Sequence, residues 1–172
     1  MFPAPATPTM KATPKPTGDH MKLLTKYFGE IDYDPADCIN FENGIYAFED
    51  ELQFLLLPFA DSEGAMLCLQ SVQTPGLAFV LMDPFALLPD YTPVLQPSEL
   101  SVLGVADSRE LCYYVMCAVK KPVSDSTVNL KCPITINPDT LSACQVILDS
   151  DRYTMRHPLS EFARDKGGAS KC

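Results

Sequence analysis

Two histidines and seven cysteines are the residues of this chain that could hold a metal or act as nucleophiles, and their spacing argues against both roles. His20 and His157 lie at opposite ends of the sequence. A zinc site needs three or four ligands on converging elements, and Cys38, Cys68, Cys112, Cys117, Cys132, Cys144 and Cys172 contain no C-x-x-C pair. Cys112 and Cys117 are five apart, which on a strand sends their side chains to opposite faces. A thiol in the apolar setting Tyr-Val-Met-Cys117-Ala-Val stays protonated and behaves as a small core residue. The eight glycines form neither G-x-G-x-x-G nor G-x-x-x-x-G-K-[ST], so no phosphate-cradling loop is present. Arg156-His157-Pro158 offers an anion anchor, but pairing of Arg156 with Asp149 or Asp151 is the simpler expectation. A general acid–base pair needs two carboxylates at fixed separation in a cleft, and nothing in their order marks such a pair. The expectation is a protein with no metal, no cofactor and no catalytic constellation, whose carboxylates mostly form a solvated face.

The charge balance points the same way. Twenty-two acidic residues against 13 basic ones leave a net charge of -9 over 172 residues. Such a surface repels a phosphate backbone and lacks the Lys/Arg cluster needed for counterion release, so direct nucleic-acid binding is not expected. It attracts a basic partner and speeds its association. No apolar run approaches the roughly 20 residues of a membrane-spanning helix, because Pro58 and Asp83-Pro84 interrupt the longest ones. The opening MFPAPATPTMKATPKPTGDH lacks the n- and h-regions of a secretory signal, and with reduced core thiols this gives a cytoplasmic expectation.

The elements that would position any site follow from periodicity and breakers. Residues 1–20, with five of the 16 prolines, read as a disordered Pro-rich extension; residues 21–159 form one folded domain, and 160–172 a flexible polar tail. Within the domain, 22–28 and 31–33 read as a hairpin, and 41–52 as a loop around Asn43-Gly44. Strands are expected over 53–58, 66–72, 77–83 and 111–120. A proline-broken connection spans 84–97, part of it a possible edge strand, and a single helix with Ser98 as its N-cap ends at Gly104. Residues 126–148 alternate apolar side chains at Val128/Leu130, Ile134/Ile136 and Val146/Leu148 between turn signals, which predicts a three-stranded meander. Eight to ten short strands and one short helix make the fold class all-β, a small antiparallel β-barrel.

The blocks that carry a resemblance lie throughout the domain. They are Tyr27-Phe-Gly-Glu-Ile31, Ile39-Asn-Phe41 with Gly44, Phe48-Glu-Asp50, Leu69-Gln-Ser71, Leu77-Ala-Phe-Val80, and Asp83-Pro-Phe85 with Pro89-Asp-Tyr91. Thr127 to Asn137, Gln145 to Leu148, Tyr153 and Arg156-His-Pro158 complete the order. Over about residues 21–159 the chain resembles the bacterial flagellar assembly factor family FliW. It departs at two places: Ala47 stands where the family usually has a glycine before the Phe-Glu pair. Leu141-Ser-Ala-Cys144 stands where it has a basic, glycine-containing turn.

The resemblance implies a non-enzymatic β-barrel that binds CsrA, an RNA-binding translational repressor, and prevents it from silencing flagellin mRNA. It also implies binding to flagellin, which displaces the repressor. Within that frame Phe48 and Phe85, both in turn-rich segments, are candidate anchors, with Glu49, Asp50 and Asp90 as charged neighbours. The general preference of Phe for burial favours the alternative that both rings plug the barrel ends. Asn129 and Asn137 are expected to hydrogen-bond turns first and to contact a partner second. A different class of function, a small-molecule binder using the barrel interior, requires convergent polar residues at inward positions, which are scarce.

Overall fold

The computed structural model describes residues 20–162, so the expectations for residues 1–19 and 163–172 lie outside the described residues. The first two strands, β1 (Met21–Leu24) and β2 (Glu30–Tyr33), form the anticipated hairpin as a separate two-stranded sheet. Its first arm is shorter than expected, because the Thr25 hydroxyl and amide both bond the Gly29 carbonyl and turn the chain early.

Seven of the following strands close into a barrel: β3 (Ile39–Phe41), β4 (Gln53–Pro58), β5 (Met66–Ser71), β6 (Ala78–Met82), β7 (Cys112–Ala118), β9 (Ile134–Ile136) and β10 (Ser142–Gln145). Two short strands, β8 (Thr127–Val128) and β11 (His157–Pro158), extend the sheet beyond β7. Pairing is antiparallel throughout except at β3–β10, where Asn40 faces Ser142 and Phe41 faces Ala143 in parallel. That parallel pair closes the circle.

Alternation fills the interior. Ile39 and Phe41 from β3, Phe54 from β4, Leu69 from β5, Leu81 from β6, Cys112 from β7, Ile134 and Ile136 from β9 and Ala143 from β10 pack in one cluster, so every barrel strand contributes. Each fully buried Phe, Leu or Ile stabilises the fold by roughly 1.5–3 kcal/mol. β4 reads as an uninterrupted apolar run because both its faces are covered. Phe54 and Leu56 point inward, while Leu55 and Leu57 meet Leu23, Ile31, Tyr33 and Cys38 of the hairpin region. A third cluster covers the outer face of β7. There Tyr113, Val115, Val128, Leu130, Val146 and Leu148 pack under Tyr91, Leu95, Leu103, Tyr153 and Phe162. Cys112 and Cys117 thus face opposite sides, as their spacing requires.

The meander expected over 126–148 forms with a different layout. β8 and β9 both pair with β7, Val128 opposite Cys117 and Ile134 opposite Tyr114, so residues 127–136 are one strand interrupted by a wide bulge at 129–133. The Asn129 side chain accepts from the Cys132 amide within the bulge. Val146 and Leu148 lie just past β10 and still donate to Pro133 and Lys131. The bulge takes them out of regular ladder geometry while keeping them buried.

The helical content also differs in detail. α2 (Pro97–Leu103) is capped by Gln96 rather than Ser98, because Pro97 has the preset φ of a first helical residue. It ends at Gly104 with φ +71°. The 84–97 connection opens with one helical turn, α1 (Pro84–Leu87), whose Phe85 amide is capped by Asp83, and contains no edge strand. Four short 3-10 turns lie at Pro35–Asp37, Ala60–Ser62, Ser108–Glu110 and Val123–Asp125, and residues 159–162 are helical with Phe162 buried, so the start of the expected polar tail packs on the domain. No helix among the described residues is long and apolar enough to cross a membrane.

Candidate interaction surface

The loop from β3 to β4, residues 42–52, is held by its own backbone. Gly44 adopts φ +65°, and a Cβ there would come within 2.6 Å of the Phe48 and Glu49 carbonyl oxygens, so only glycine fits. Ile45 and Phe48 bridge across the next turn, with Phe48 donating to the Ile45 carbonyl at 2.7 Å. Ala47 at the tip has φ +71°. Buried Ile45 pins the loop to the barrel interior and leaves Tyr46 and Phe48 outside.

Three tethers fix the loop against its neighbours. The Tyr46 amide donates to Gln145 Oε1 on β10 at 3.0 Å, and the Leu52 amide to Gln73 Oε1 at 2.8 Å. The Glu51 carboxylate accepts from the Ser71 and Thr74 hydroxyls at the end of β5. Its two neighbours have no such engagement: Asp50 has no side-chain partner among the described residues, and Glu49 accepts only from the Ala47 amide. The loop is therefore rigid and presents its side chains in fixed positions.

What it presents is a ridge of apolar side chains among carboxylates. Tyr46 is 53%, Phe48 37% and Leu52 41% exposed, and the Phe48 ring lies edge-on to Phe79 at 5.3 Å. Glu42, Glu49 and Asp50 are exposed alongside. α2 packs on β10 next to this loop, and its Val102 is 50% exposed. The Tyr46 phenol is pushed up by partial burial, with smaller contributions from Cys132, Cys144 and Glu99 of α2. A shallow, open groove of about 600 Å³ crosses the β3–β10 seam between the loop and α2.

The seven residues singled out in the sequence separate into groups. Phe48, Glu49 and Asp50 share the exposed ridge. Phe85 is half-buried against Tyr91 and Tyr113, with centroids at 5.7 and 6.0 Å, and packs on the outer cluster over β7. Asp90 accepts from Arg152 at 3.2 Å in an exposed ion pair. Asn129 caps the bulge. Asn137 is buried and ties the β9–β10 turn to α2 by donating to the Leu103 carbonyl at 2.8 Å and accepting from Asp139. Arg156 forms no pair with Asp149 or Asp151; among the described residues the polar contacts at this end are the Arg152–Asp90 ion pair and a 2.7 Å contact between His157 Nε2 and the Glu161 carboxylate.

Sequence reasoning missed Tyr46, Leu52, Glu42 and Val102, although one signal was available. From Tyr27 to Ser108 the chain has no Lys, Arg or His, yet it holds 14 of the 22 acidic residues. That stretch supplies β3 to β6, α2 and the ridge, so these elements carry no cation of their own, although Lys26 lies against β5. Chemistry of other kinds finds little support. Among the described residues no group of three or more His, Cys, Asp or Glu is placed to hold a metal. Burial pushes the Cys68 and Cys112 thiols up to about 11 and also raises Cys38, Cys117, Cys132 and Cys144, which keeps them protonated and poorly nucleophilic.

Comparison with known proteins places this architecture. A family profile described as FliW protein matches residues 22–159. A protein of Geobacillus sp. (strain WCH70) named flagellar assembly factor FliW is 42% identical over 139 residues, covering 81% of this chain and 95% of its own. One of the same name from Caldanaerobacter subterraneus subsp. tengcongensis is 38% identical over 141 residues, covering 82% and 94%. A solved structure described as the crystal structure of the flagellar assembly factor FliW superposes with a TM-score of 0.76 at 39% identity, covering 81% of this chain and 96% of that one.

Proposed function

The chain belongs to the FliW family, and from that premise we propose that it is a non-enzymatic flagellar assembly factor of the cytoplasm that works by stoichiometric protein binding. Its partners are CsrA, which it holds away from flagellin mRNA, and flagellin, which exchanges with CsrA. The observation that carries this reading is the rigid ridge of Tyr46, Phe48 and Leu52 set among Glu42, Glu49 and Asp50. Aromatic anchors in a fixed loop keep the ordering cost of association low. The surrounding carboxylates favour a partner with a basic face and set the rate and salt dependence of encounter. A small-molecule function is less well served, because the barrel interior is filled by Phe41, Phe54, Leu69, Leu81, Ile134 and Ile136.

Calorimetric titration with CsrA at two salt concentrations, repeated with flagellin already bound, tests the reading. Saturable binding that weakens with salt and disappears in the presence of flagellin is expected. Absence of heat with both partners, from protein shown to be folded, refutes it.

A further inference from the structure

We infer that the groove across the β3–β10 seam is a docking cleft for an extended segment of a basic partner, one that places a lysine or arginine beside Glu42 and apolar side chains between Leu52 and Val102. The inference rests on the protein-binding reading above and assigns it a location and a chemistry.

The groove has two apolar walls on different elements. Leu52 stands at the end of the β3–β4 loop and Val102 on α2, each close to half exposed, and the amides of Asn40, Gln53 and Gln73 share the lining with Ser142. The amide nitrogens of the lining are engaged inside the protein: Asn40 Nδ2 donates to the Cys38 carbonyl at 3.1 Å, Gln53 Nε2 to Asn40 Oδ1 at 3.2 Å, and Gln73 Nε2 to the Asp50 carbonyl at 3.3 Å. The charge of the groove is therefore that of Glu42. Its carboxylate has no hydrogen bond or ion pair among the described residues.

The surrounding field reinforces that single charge. β3, β4, the connecting loop and α2 all come from the stretch without a cation, so Glu42, Glu49, Asp50 and Glu99 are not neutralised by a side chain of the same stretch. Carboxylates of one sign in and beside a groove raise the local concentration of a cationic segment and reject an anionic one; here Glu42 lies in the groove and Glu49 and Asp50 are exposed on the adjoining loop. An apolar segment without charge would leave Glu42 desolvated and unpaired, which selects against it. An RNA-binding protein, whose own binding face is basic, supplies the required combination.

The test uses two charge reversals of equal size. Glu42→Lys alters the groove, whereas Glu63→Lys alters the exposed turn at the other end of β4 and changes the net charge identically. Both residues are exposed, and circular dichroism confirms folding. Titration with CsrA at low salt is expected to show at least tenfold weaker binding for Glu42→Lys and less than about threefold for Glu63→Lys. Val102→Ser is expected to weaken binding severalfold with an unchanged salt slope. Equal losses for the two reversals would mean that only the overall field matters and would overturn the assignment, as would full affinity of Glu42→Lys. Loss confined to flagellin binding, or disruption of a self-dimer, would assign the cleft to another occupant and overturn it too. If the unaltered protein binds CsrA and these variants do so equally well, the inference alone falls. If the unaltered protein binds neither partner, the functional reading falls and carries the inference with it.

Discussion

Replacing Ala47 by glycine should stabilise the protein. Ala47 sits at φ +71° at the tip of the β3–β4 loop. There an L-residue brings its Cβ against the following carbonyl at a cost of roughly 1–2 kcal/mol. The alanine is exposed, so its removal forfeits little burial. Glycine's greater freedom in the unfolded chain takes back about 0.5–1 kcal/mol. The net expectation is a gain of about 0.5–1 kcal/mol, or a Tm higher by roughly 1–4 °C for a chain of this length. Urea unfolding followed by circular dichroism or tyrosine emission measures it, since the chain has seven Tyr and no Trp. The urea midpoint should rise with the m value unchanged. A lower or unchanged midpoint would refute the claim that local backbone strain is stored at this tip. Leu141 provides the contrast. It has φ +60° in the β9–β10 turn, yet its half-buried side chain packs against the barrel interior. Leu141→Gly relieves similar strain and loses roughly 1–2 kcal/mol of burial, so it should be neutral or destabilising.

Other expectations follow from contacts already described. Gly44→Ala should cost about 2–4 kcal/mol in urea melts, because its Cβ would meet two backbone carbonyls that cannot withdraw. Asn137→Ala strands the buried Leu103 carbonyl and the Asp139 amide and should cost about 2 kcal/mol by the same assay. Stability should fall as pH rises from about 9 to 11. In that window the unfolded chain releases the Cys68 and Cys112 protons while the folded chain keeps them; below it both states hold them and stability is complete. Chemical denaturation across the alkaline range reads this out, and a flat profile would contradict the burial argument. The native thiols at residues 38, 68, 112 and 132 should react with an aromatic disulfide reagent at pH 8 far more slowly than in urea.

The barrel was legible because its strands show either period two, as in 126–148, or short apolar runs covered on both faces, as in β4, and its turns carry the residues turns demand. Gly44, Gly104 and Asp83 are examples, each doing what its type predicts. What escaped was long-range. That residues 127–136 run as one bulged strand along β7 depends on which edge they meet, and alternation is the same whether or not five residues loop out. The parallel closure of β3 on β10 is invisible for the same reason, since neither strand's pattern names its partner. Pro97 moved the start of α2 because a first-turn proline outweighs a serine cap one residue later. For the surface, Phe48, Glu49 and Asp50 stood out by type, whereas Phe85 reads alike until Tyr91 and Tyr113 are seen around it. Leu52 and Val102 are separated in the chain, and only the fold makes them opposite walls. Ala47 and Leu141 both hold left-handed backbone where glycine is the cheapest residue, which neither residue type announces.

The two-residue pairing of β3 with β10 also sets an order of events during synthesis. Asn40 and Ser142 are about a hundred residues apart, and bringing such a loop's ends together costs roughly 4 kcal/mol of chain entropy, with only a short ladder to offset it. The contacts among β4, β5, β6 and β7 join strands consecutive in the chain and should form before the seam, an order that pulsed hydrogen exchange during refolding checks. The seam then waits for residues 142–145 to leave the ribosome. Since the groove lies across that seam, a chain in which residues 142–145 have not yet met β3 has no groove there, and this surface is complete only when the barrel is.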